Sequence, residues 1–390
     1  MNITSRPIAA RHSFFRPIFS IICILICSAA LATLFFAPAP QASSASSGIW
    51  VTGYYAGWEQ DRMPPDKIDF TALTHVVHFS VMPKLDGSLD IVRFDISPAR
   101  SAAIVTATHN AGRKVLLCVG GANSAVNFRG AISNVHRARF VKNLMDIVTT
   151  RGYDGLDIDM EPMAATDKDD YIAFIKELRA AMEQAKQGLL LTAAVGDEPE
   201  IFVPLKASFD HINLMTYTMS NAWPGWVTWH TSALYNGGRT FPNSTRQLPS
   251  AQLWVDKWLA AGFSPRQLGI GIAFFGDIWK GASAPMQSIE GVTTTRDNQY
   301  QKIAPYESNP AYYHWDSVAQ VPYLSIDKEG TADDLFISYD NARSIAAKIK
   351  YVKENNLGGV IIWQLGDGYR TDVATGQDNL LQAVKQAASH

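Results

Sequence analysis

The chain has 390 residues, of which 18% are charged and 11% are aromatic, and its formal net charge is −2. It contains no basic domain or basic stripe, so the composition argues against a nucleic-acid partner. The length could hold two domains, but a single α/β barrel routinely uses about 250 residues or more. We therefore expect one large globular domain.

Residues 1–42 are typical of a targeting segment rather than of a folded structure. Three arginines precede the apolar run Ile18–Phe36, and small residues that suit cleavage follow it as far as Ala42. We expect a cleaved signal peptide and a secreted protein. The run is also long enough to span a bilayer, so an uncleaved membrane anchor is the alternative. Residues 43–48 would then be a flexible leader and residues 49–390 the folded unit.

Strand-like runs alternate with helical patterns in the rest of the chain. Eight runs are apolar or β-branched: Trp50–Tyr55, Leu73–Val81, Lys114–Gly120, Gly152–Asp159, Leu189–Val195, His211–Tyr217, Leu268–Phe275 and Gly359–Leu365. Five segments have helical periodicity: Ser97–Ala111, Ser133–Thr150, Asp167–Gln187, Gln252–Ala261 and Asn341–Asn356. This alternation predicts an α/β fold, and the strand count predicts a (β/α)8 TIM barrel. An open, doubly wound sheet is the alternative, but no Gly-x-Gly-x-x-Gly motif follows the first strand.

The connection between the seventh and eighth predicted strands, about residues 276–338, is longer than an ordinary loop. It is rich in tyrosine, tryptophan, proline and polar residues. We interpret it as a short insertion with its own small structure that lines one side of the site.

The stretch Tyr153–Pro162 places four acidic residues in an otherwise apolar run. Apolar residues alternate with Asp157, Asp159 and Glu161, so on a strand these three carboxyls share one face, roughly 6.5–7 Å apart. Like charges repel, and burying them is costly unless they share protons or find donors. The arrangement therefore indicates a coupled acid set with a chemical role rather than a solvated edge strand.

The barrel hypothesis brings this acidic face to the mouth where barrel enzymes carry out their chemistry. Asp154 is an odd number of residues from these three acids, so it starts on the opposite face of the strand and is expected to support the site. Glycoside hydrolysis is the natural candidate reaction because it needs a carboxylic acid near the scissile oxygen. Ordinary glycosidases place a second carboxylate across the sugar ring, whereas Asp159 and Glu161 share one strand. A group other than a protein carboxylate must then attack the anomeric carbon.

The motif Asp154-Gly155-x-Asp157-x-Asp159-x-Glu161 resembles the signature of glycoside hydrolase family 18, the chitinases. Members of that family use the N-acetyl group of the substrate as the nucleophile. Weaker motifs follow the order found in the family: Gly53-Tyr54-Tyr55, Cys118-Val119-Gly120-Gly121, Met215-Thr216-Tyr217, Gly269–Gly276 and Gly358–Trp363. The resemblance covers nearly the whole chain after the targeting segment.

The resemblance implies roles for individual residues. Glu161 would be the general acid and then the base for water, while Asp159 would hold the acetamido N–H and orient its carbonyl oxygen. Asp157 would share a proton with Asp159, and Tyr217 would donate its hydroxyl to the acetamido oxygen. Trp363 would form the floor under the sugar. Other motif residues are expected to bind the substrate or to support the site: Tyr54, Met215, Asp154, Gly120 and Gly121.

Two positions depart from the pattern of the family. Cys118 stands where the family usually has Ser, so a hydroxyl donor is replaced by a weak thiol donor. Thr218 stands where many members have Asp, which removes a carboxylate near the site. Both changes bear on the pH optimum more than on the reaction. We interpret Cys118 as a buried small residue rather than a nucleophile.

Several tryptophans outside the motifs are candidates for outer sugar subsites, because aromatic faces stack on pyranose rings. They are Trp58, Trp223, Trp226, Trp229 and Trp279. Trp254 and Trp258 are four residues apart on a predicted helix, and there we expect core packing. No spacing of His, Cys and acidic residues resembles a metal site, so we expect neither a metal nor a cofactor.

The sequence thus predicts a secreted, monomeric, retaining chitinase that cleaves β-1,4 links between N-acetylglucosamine units of chitin or chito-oligosaccharides. The short insertion would leave a low cleft wall, so internal cleavage is favoured. An endo-β-N-acetylglucosaminidase acting on N-glycans is a second enzyme hypothesis. A non-hydrolytic chitin-binding lectin is a third, and the presence of Glu161 argues against it.

Overall fold

The computed structural model describes residues 48–374 and 376–389, so the predicted targeting segment lies outside the described residues. The strands in this part are β1 Trp50–Ala56, β2 His75–Pro83, β3 Leu89–Asp90, β4 Lys114–Gly121, β5 Gly155–Met160, β6 Leu190–Val195, β7 His211–Leu214, β8 Leu268–Ala273, β9 Phe275–Lys280, β10 Thr293–Gln299, β11 Tyr313–Asp316, β12 Val321–Ile326, β13 Leu335–Tyr339 and β14 Gly359–Trp363. The α-helices are α1 Pro98–Asn110, α2 Ala125–Ala131, α3 Arg137–Arg151, α4 Lys168–Ala185, α5 Ala251–Ala260, α6 Tyr300–Glu307, α7 Ala342–Glu354, α8 Leu365–Gly368 and α9 Asn379–Ser389.

Eight parallel strands close into a barrel in the order β1, β2, β4, β5, β6, β7, β8 and β14. Strand β1 pairs with β14 on one side and with β2 on the other, so the sheet has no free edge at this point. The prediction of a (β/α)8 barrel is confirmed, and the open doubly wound alternative is wrong. Strand β5, which contains Asp157 and Asp159, is the fourth strand of the barrel.

The segment between β8 and α7 folds into a second sheet. Its five strands are antiparallel in the order β10, β9, β13, β12 and β11, and helix α6 follows β10. This sheet covers the stretch that the sequence indicates as an insertion, and it has its own apolar cluster around Trp279 and Phe336.

A buried ion pair joins the end of this second sheet to the barrel. The Lys348 ammonium of α7 lies 2.5 Å from the carboxylate of Asp340, and neither side chain is exposed. Asp340 also accepts hydrogen bonds from the Ser232 and Ser344 hydroxyls and from the backbone N–H of Ala273 on β8. The charges are therefore fully paired, as burial requires.

The helices pack on the outside of the barrel through apolar stripes. On α4 the stripe runs along one face and every member is buried: Tyr171, Phe174, Ile175, Leu178 and Met182. Helix α1 begins after Ser97, whose hydroxyl accepts the Arg100 N–H at 3.3 Å, and α3 ends at Gly152 with φ +77°. No helix of the described residues is long and apolar enough to cross a membrane.

Candidate active site

Strand β5 points Asp157 into the barrel, where it pairs in register with Cys118 of β4 and Thr192 of β6. Its Oδ1 accepts a hydrogen bond from the Thr192 hydroxyl at 2.5 Å, and its Oδ2 accepts one from the Tyr54 hydroxyl at 2.7 Å. The Asn213 amide lies 3.5 Å from Oδ1, and the Cys118 thiol also donates to this carboxyl. Burial raises the pKa of Asp157, and these donors oppose the rise without cancelling it.

Asp159 and Glu161 form a hydrogen-bonded carboxyl pair at the mouth of the barrel. Asp159 is only 2% exposed, and its Oδ1 atom has no hydrogen-bond partner among the described residues. Burial, the negative charges of Glu161 and Asp157, and the bond to Glu161 together raise the pKa of Asp159 well above its ordinary value. The pair therefore keeps a proton at a pH where an isolated carboxyl has lost it.

This pairing differs from the sequence-based expectation that Asp157 shares a proton with Asp159. In the structure Asp159 is bonded to Glu161, while Asp157 is bonded to neutral donors on other strands. Donors on other strands occupy both oxygens of Asp157, whereas Glu161, which follows the last residue of β5, is the hydrogen-bond partner of Asp159.

The loop after β4 fixes the mouth end of β5. The Ser124 hydroxyl donates to the backbone carbonyl of Asp159 and accepts the backbone N–H of Glu161, each at 3.1 Å. Gly120 has φ +106°, and a Cβ there would lie 2.0 Å from the Asp159 carbonyl oxygen. Gly121 has φ +112°, and a Cβ there would lie 2.5 Å from an aromatic ring. A side chain at either glycine would displace the acids. Sequence reasoning missed Ser124.

Asp154 lies at the other end of the stretch, before β5 begins. Its carboxylate accepts the Val115 backbone N–H at 3.0 Å and contacts His109 Nε2 at 2.8 Å and Lys114 Nζ at 3.0 Å. Burial alone would raise the pKa of Asp154, but these three contacts outweigh it and lower the pKa. Asp154 thus links β4, β5 and α1 and does not line the cavity described next.

A cavity of about 540 Å³, called here the central cavity, opens at the mouth of the barrel. Its walls include eight of the residues that the sequence indicates for catalysis or substrate binding: Tyr54, Trp58, Asp159, Glu161, Met215, Tyr217, Trp223 and Trp363. Apolar and aromatic walls with a few convergent polar groups are typical of a small-molecule site.

Trp363 and Tyr217 are positioned by their neighbours in the barrel. The Trp363 ring meets the Phe79 ring edge to face at 4.7 Å and lies 5.7 Å from the Tyr54 ring, measured between centroids. Tyr217 packs over Gly271, where a Cβ would lie 2.5 Å from its ring. A larger residue at position 271 would push Tyr217 out of place.

The structure corrects the interpretation of several tryptophans. Trp279 and Trp229 are fully buried. Trp279 packs in the apolar cluster of the second sheet, and Trp229 donates its indole N–H to the Pro249 carbonyl, so neither ring offers a free face. Trp226 does not line the central cavity; it packs between Trp223 and Phe241 at centroid distances of 4.5 and 4.9 Å. The predictions for Trp279 and Trp229 are wrong because tryptophan spacing along a loop does not reveal which ring turns inward. Trp226 is half-buried and stays a candidate for an outer subsite.

Trp58 and Trp223 are the exposed tryptophans of the central cavity, at 44% and 40% exposure. Trp254 also lines it, although the sequence predicts core packing for both Trp254 and Trp258. Of these two tryptophans only Trp258 is fully buried. Four-residue spacing places both rings on one side of the helix but does not show which of them the core covers.

The two departures from the family pattern occupy the site itself. Cys118 is buried beside Asp157, and burial followed by the charges of Asp157 and Asp159 raises the pKa of its thiol well above the ordinary value. A neutral thiol is a poor nucleophile, which agrees with a structural role. Thr218 lines the central cavity, and its carbonyl accepts a hydrogen bond from Arg296 Nη2 of β10 at 3.0 Å.

The arrangement can donate a proton from one side of a bound sugar. It provides a carboxyl pair that holds a proton, a carboxylate oxygen without a hydrogen-bond partner among the described residues, and an aromatic floor. Within residues 48–374 and 376–389, no group of three or more His, Cys, Asp or Glu residues could hold a metal ion. Barrel, mouth cavity and acid pair together define a (β/α)8 glycoside hydrolase.

Comparison with known proteins agrees with this class. The family model for glycosyl hydrolases family 18 matches residues 50–368. A probable endochitinase of Caenorhabditis elegans is 33% identical over 286 residues, which is 65% of this chain and 43% of that protein. Chitinase B of Serratia marcescens is 27% identical over 347 residues, with 71% of this chain and 68% of that protein covered. The chain belongs to glycosyl hydrolase family 18.

Solved structures share the fold. The crystal structure of a Group IV chitinase of Ostrinia furnacalis matches with a TM-score of 0.75 at 23% identity, over 88% of this chain and 100% of that chain. A GH18 chitinase of Cycas revoluta in complex with (GlcNAc)3 matches with a TM-score of 0.72, over 87% of this chain and 99% of that chain. This chain spans less than half the length of the nematode relative.

Proposed function

We propose that this protein is a chitinase that hydrolyses β-1,4 links between N-acetylglucosamine units with retention of configuration. The observation that supports it best is the pair Asp159–Glu161, which holds a proton beside an orphaned, buried carboxylate oxygen. An acetamido N–H is a suitable donor for that oxygen. Relatives named chitinases, and neighbours crystallised with N-acetylglucosamine oligomers or allosamidin, point to the same substrate class.

In the first step Glu161 gives its proton to the oxygen that links the reacting sugar to the leaving sugar. The bond between the anomeric carbon and that oxygen breaks, while the carbonyl oxygen of the acetamido group forms a new bond to the same carbon. Asp159 accepts the acetamido N–H and balances the positive charge of the resulting oxazolinium ion. Tyr217 steadies the acetamido oxygen, and the sugar rests on Trp363.

In the second step Glu161, now ionised, takes a proton from water. The water oxygen attacks the anomeric carbon from the face that the leaving sugar vacated, and the bond to the acetamido oxygen breaks. Two inversions at one carbon give net retention. In this mechanism the protein supplies no nucleophile. This agrees with Asp159 and Glu161 lying on one strand, and therefore on one side of the sugar.

The test is a product analysis on defined substrates. Chitin hexamer should be cleaved, and nuclear magnetic resonance should detect the β-anomer of the product before mutarotation. Fully deacetylated chitosan should not be cleaved, because it has no acetamido nucleophile. Rapid cleavage of that polymer, or an initial α-anomer, would overturn the proposed mechanism. A high-mannose glycoprotein in parallel distinguishes an endo-β-N-acetylglucosaminidase, which would release N-glycans instead.

We also propose internal cleavage and secretion. Two exposed tryptophans, Trp58 and Trp223, line the central cavity in addition to Trp363, and this suits a chain that occupies more than one sugar subsite. A soluble chitin derivative should therefore lose viscosity before dimers accumulate; early release of dimers alone would contradict this. Amino-terminal sequencing of protein recovered from the culture medium tests removal of residues 1–42.

A further inference from the structure

A smaller cavity of about 190 Å³, called here the side cavity, adjoins the central cavity. The two share four wall residues: Glu161, Ala194, Gly196 and Met215. The remaining walls of the side cavity are apolar with one exception, the carboxyl of Glu198. The proposed mechanism gives Glu198 no task.

The side cavity lies toward the leaving group. Glu161 lines both cavities, whereas Trp363, Tyr54 and Trp58 line only the central one. The oxygen that Glu161 protonates joins the reacting sugar, placed over Trp363, to the leaving sugar. The leaving sugar therefore extends toward the walls that Glu161 shares with Gly196 and Met215.

Helix α5 holds the segment Gly196–Glu198 in place from outside. Trp258 Nε1 donates to the Gly196 carbonyl at 3.1 Å, and the Lys257 ammonium pairs with the Asp197 carboxylate. Trp254 lies one helical turn before Trp258 and lines the central cavity. An aromatic ring and a carboxyl-bearing loop thus bound the same end of the site.

The charge at this end is unbalanced. Lys257 is already paired with Asp197, and Glu198 makes no salt bridge within the described part of the chain. Partial desolvation and the negative charge of Asp197 raise the pKa of Glu198 more than the nearby Lys257 ammonium lowers it. Glu198 is exposed at the rim, so a substrate group can reach it.

We propose that Glu198 and Trp254 form a leaving-side subsite that prefers a sugar with a free, protonated 2-amino group, a glucosamine unit of partially deacetylated chitin. The inference rests on the proposed function. The reacting sugar needs its acetamido group as nucleophile, but the leaving sugar has no such requirement. A carboxylate attracts an ammonium group and gains nothing from a neutral acetamide, while the aromatic face accepts either sugar and also favours a cation.

The experiment is end-group sequencing of the products from partially acetylated chitosan, by nuclear magnetic resonance and mass spectrometry. New reducing ends report the reacting sugar, and new non-reducing ends report the leaving sugar. For the unmodified enzyme we expect N-acetylglucosamine at the reducing ends. At the non-reducing ends the ratio of glucosamine to N-acetylglucosamine should be about two- to fivefold above that of the polymer, the effect of an exposed ion pair. Added salt should reduce this enrichment.

Glu198→Gln should bring the glucosamine frequency at the new non-reducing ends back to random. Glu200→Gln is the matched control: Glu200 is also exposed, lies two residues away and lines neither cavity, so its enrichment should persist. Random non-reducing ends in the unmodified enzyme, or an unchanged enrichment in Glu198→Gln, would overturn the inference. Glucosamine at the reducing ends would instead overturn the proposed function.

Discussion

The substitution Glu161→Gln should separate catalysis from folding at this site. Glutamine keeps the size and a hydrogen bond toward Asp159 but has no proton to give. General acid catalysis contributes about 10²- to 10⁴-fold, so kcat on chitin hexamer should fall by at least that factor. Oligomer binding, measured by calorimetry, should survive because Trp363 and Tyr217 are untouched.

The same substitution should stabilise the fold at neutral pH. Two unit charges about 4 Å apart repel by about 4 kcal/mol at an effective dielectric constant of about 20. The pair avoids most of this by sharing a proton, so we expect the free energy of unfolding to rise by about 1–2 kcal/mol, or Tm by roughly 2 °C. The pKa of Asp159 is raised in the folded state, so the pair does not destabilise the fold below the unfolded pKa of about 3.9. Above that pH the destabilisation grows as the pH increases.

Thermal unfolding between pH 3.5 and pH 8 measures this effect. The gain of Glu161→Gln should vanish near pH 3.5 and develop above about pH 4. Glu290→Gln is an exposed control in the turn between β9 and β10 and should change neither kcat nor Tm. A stability loss in Glu161→Gln at pH 7, or turnover near the original rate, would refute the description of Asp159 and Glu161 as a strained catalytic pair.

Four further substitutions test the supporting structure and the roles of two tryptophans. Asp154→Asn should lower the free energy of unfolding by about 1–2 kcal/mol at pH 7. Because the pKa of Asp154 is lowered in the folded state, urea titrations should show that this loss of stability shrinks below about pH 4. A loss that does not change with pH would contradict the role given to Asp154. Lys348→Met should cost about 3–5 kcal/mol in urea, because it leaves a buried charge unpaired, and a loss under about 1 kcal/mol would argue against the pair. Trp223→Ala should raise KM for long oligomers with little change in Tm. Trp279→Ala should lower the free energy of unfolding by about 3–5 kcal/mol and leave KM unchanged, because Trp279 is fully buried. The reverse pattern would contradict a binding role for Trp223 and a structural role for Trp279.

The barrel and its acidic strand were predictable because both have local signatures. Strand runs that alternate with helical stripes require only neighbouring residues, and the two-residue period of Asp157, Asp159 and Glu161 follows from strand geometry. Strand ends were less predictable. The predicted strand His211–Tyr217 stops at Leu214, where the chain turns and brings Tyr217 over the cavity.

The partners of the acids could not be read from the sequence, because they depend on strand register. Thr192 reaches Asp157 only because β6 lies beside β5 with these two residues in register. Ser124 acts through the backbone at the end of β5, and a lone serine in a loop gives no sign of such contacts. The position of Trp279 likewise depends on which face of the second sheet is covered.

The first two acids of the motif, Asp154 and Asp157, are held in opposite ways, and the difference follows from what each must do. Asp154 contacts an ammonium group and a histidine, and its pKa is lowered, so it is a fixed anion that anchors neighbouring elements. Asp157 receives its hydrogen bonds, among the described residues, from neutral donors such as Tyr54 and Thr192. A lysine or arginine in their place would stabilise the charge of Asp157 more strongly, but its positive field would also reach Asp159 and lower the pKa of the pair. Neutral donors satisfy Asp157 and leave its negative field acting on Asp159, so the pair retains the proton that Glu161 must deliver.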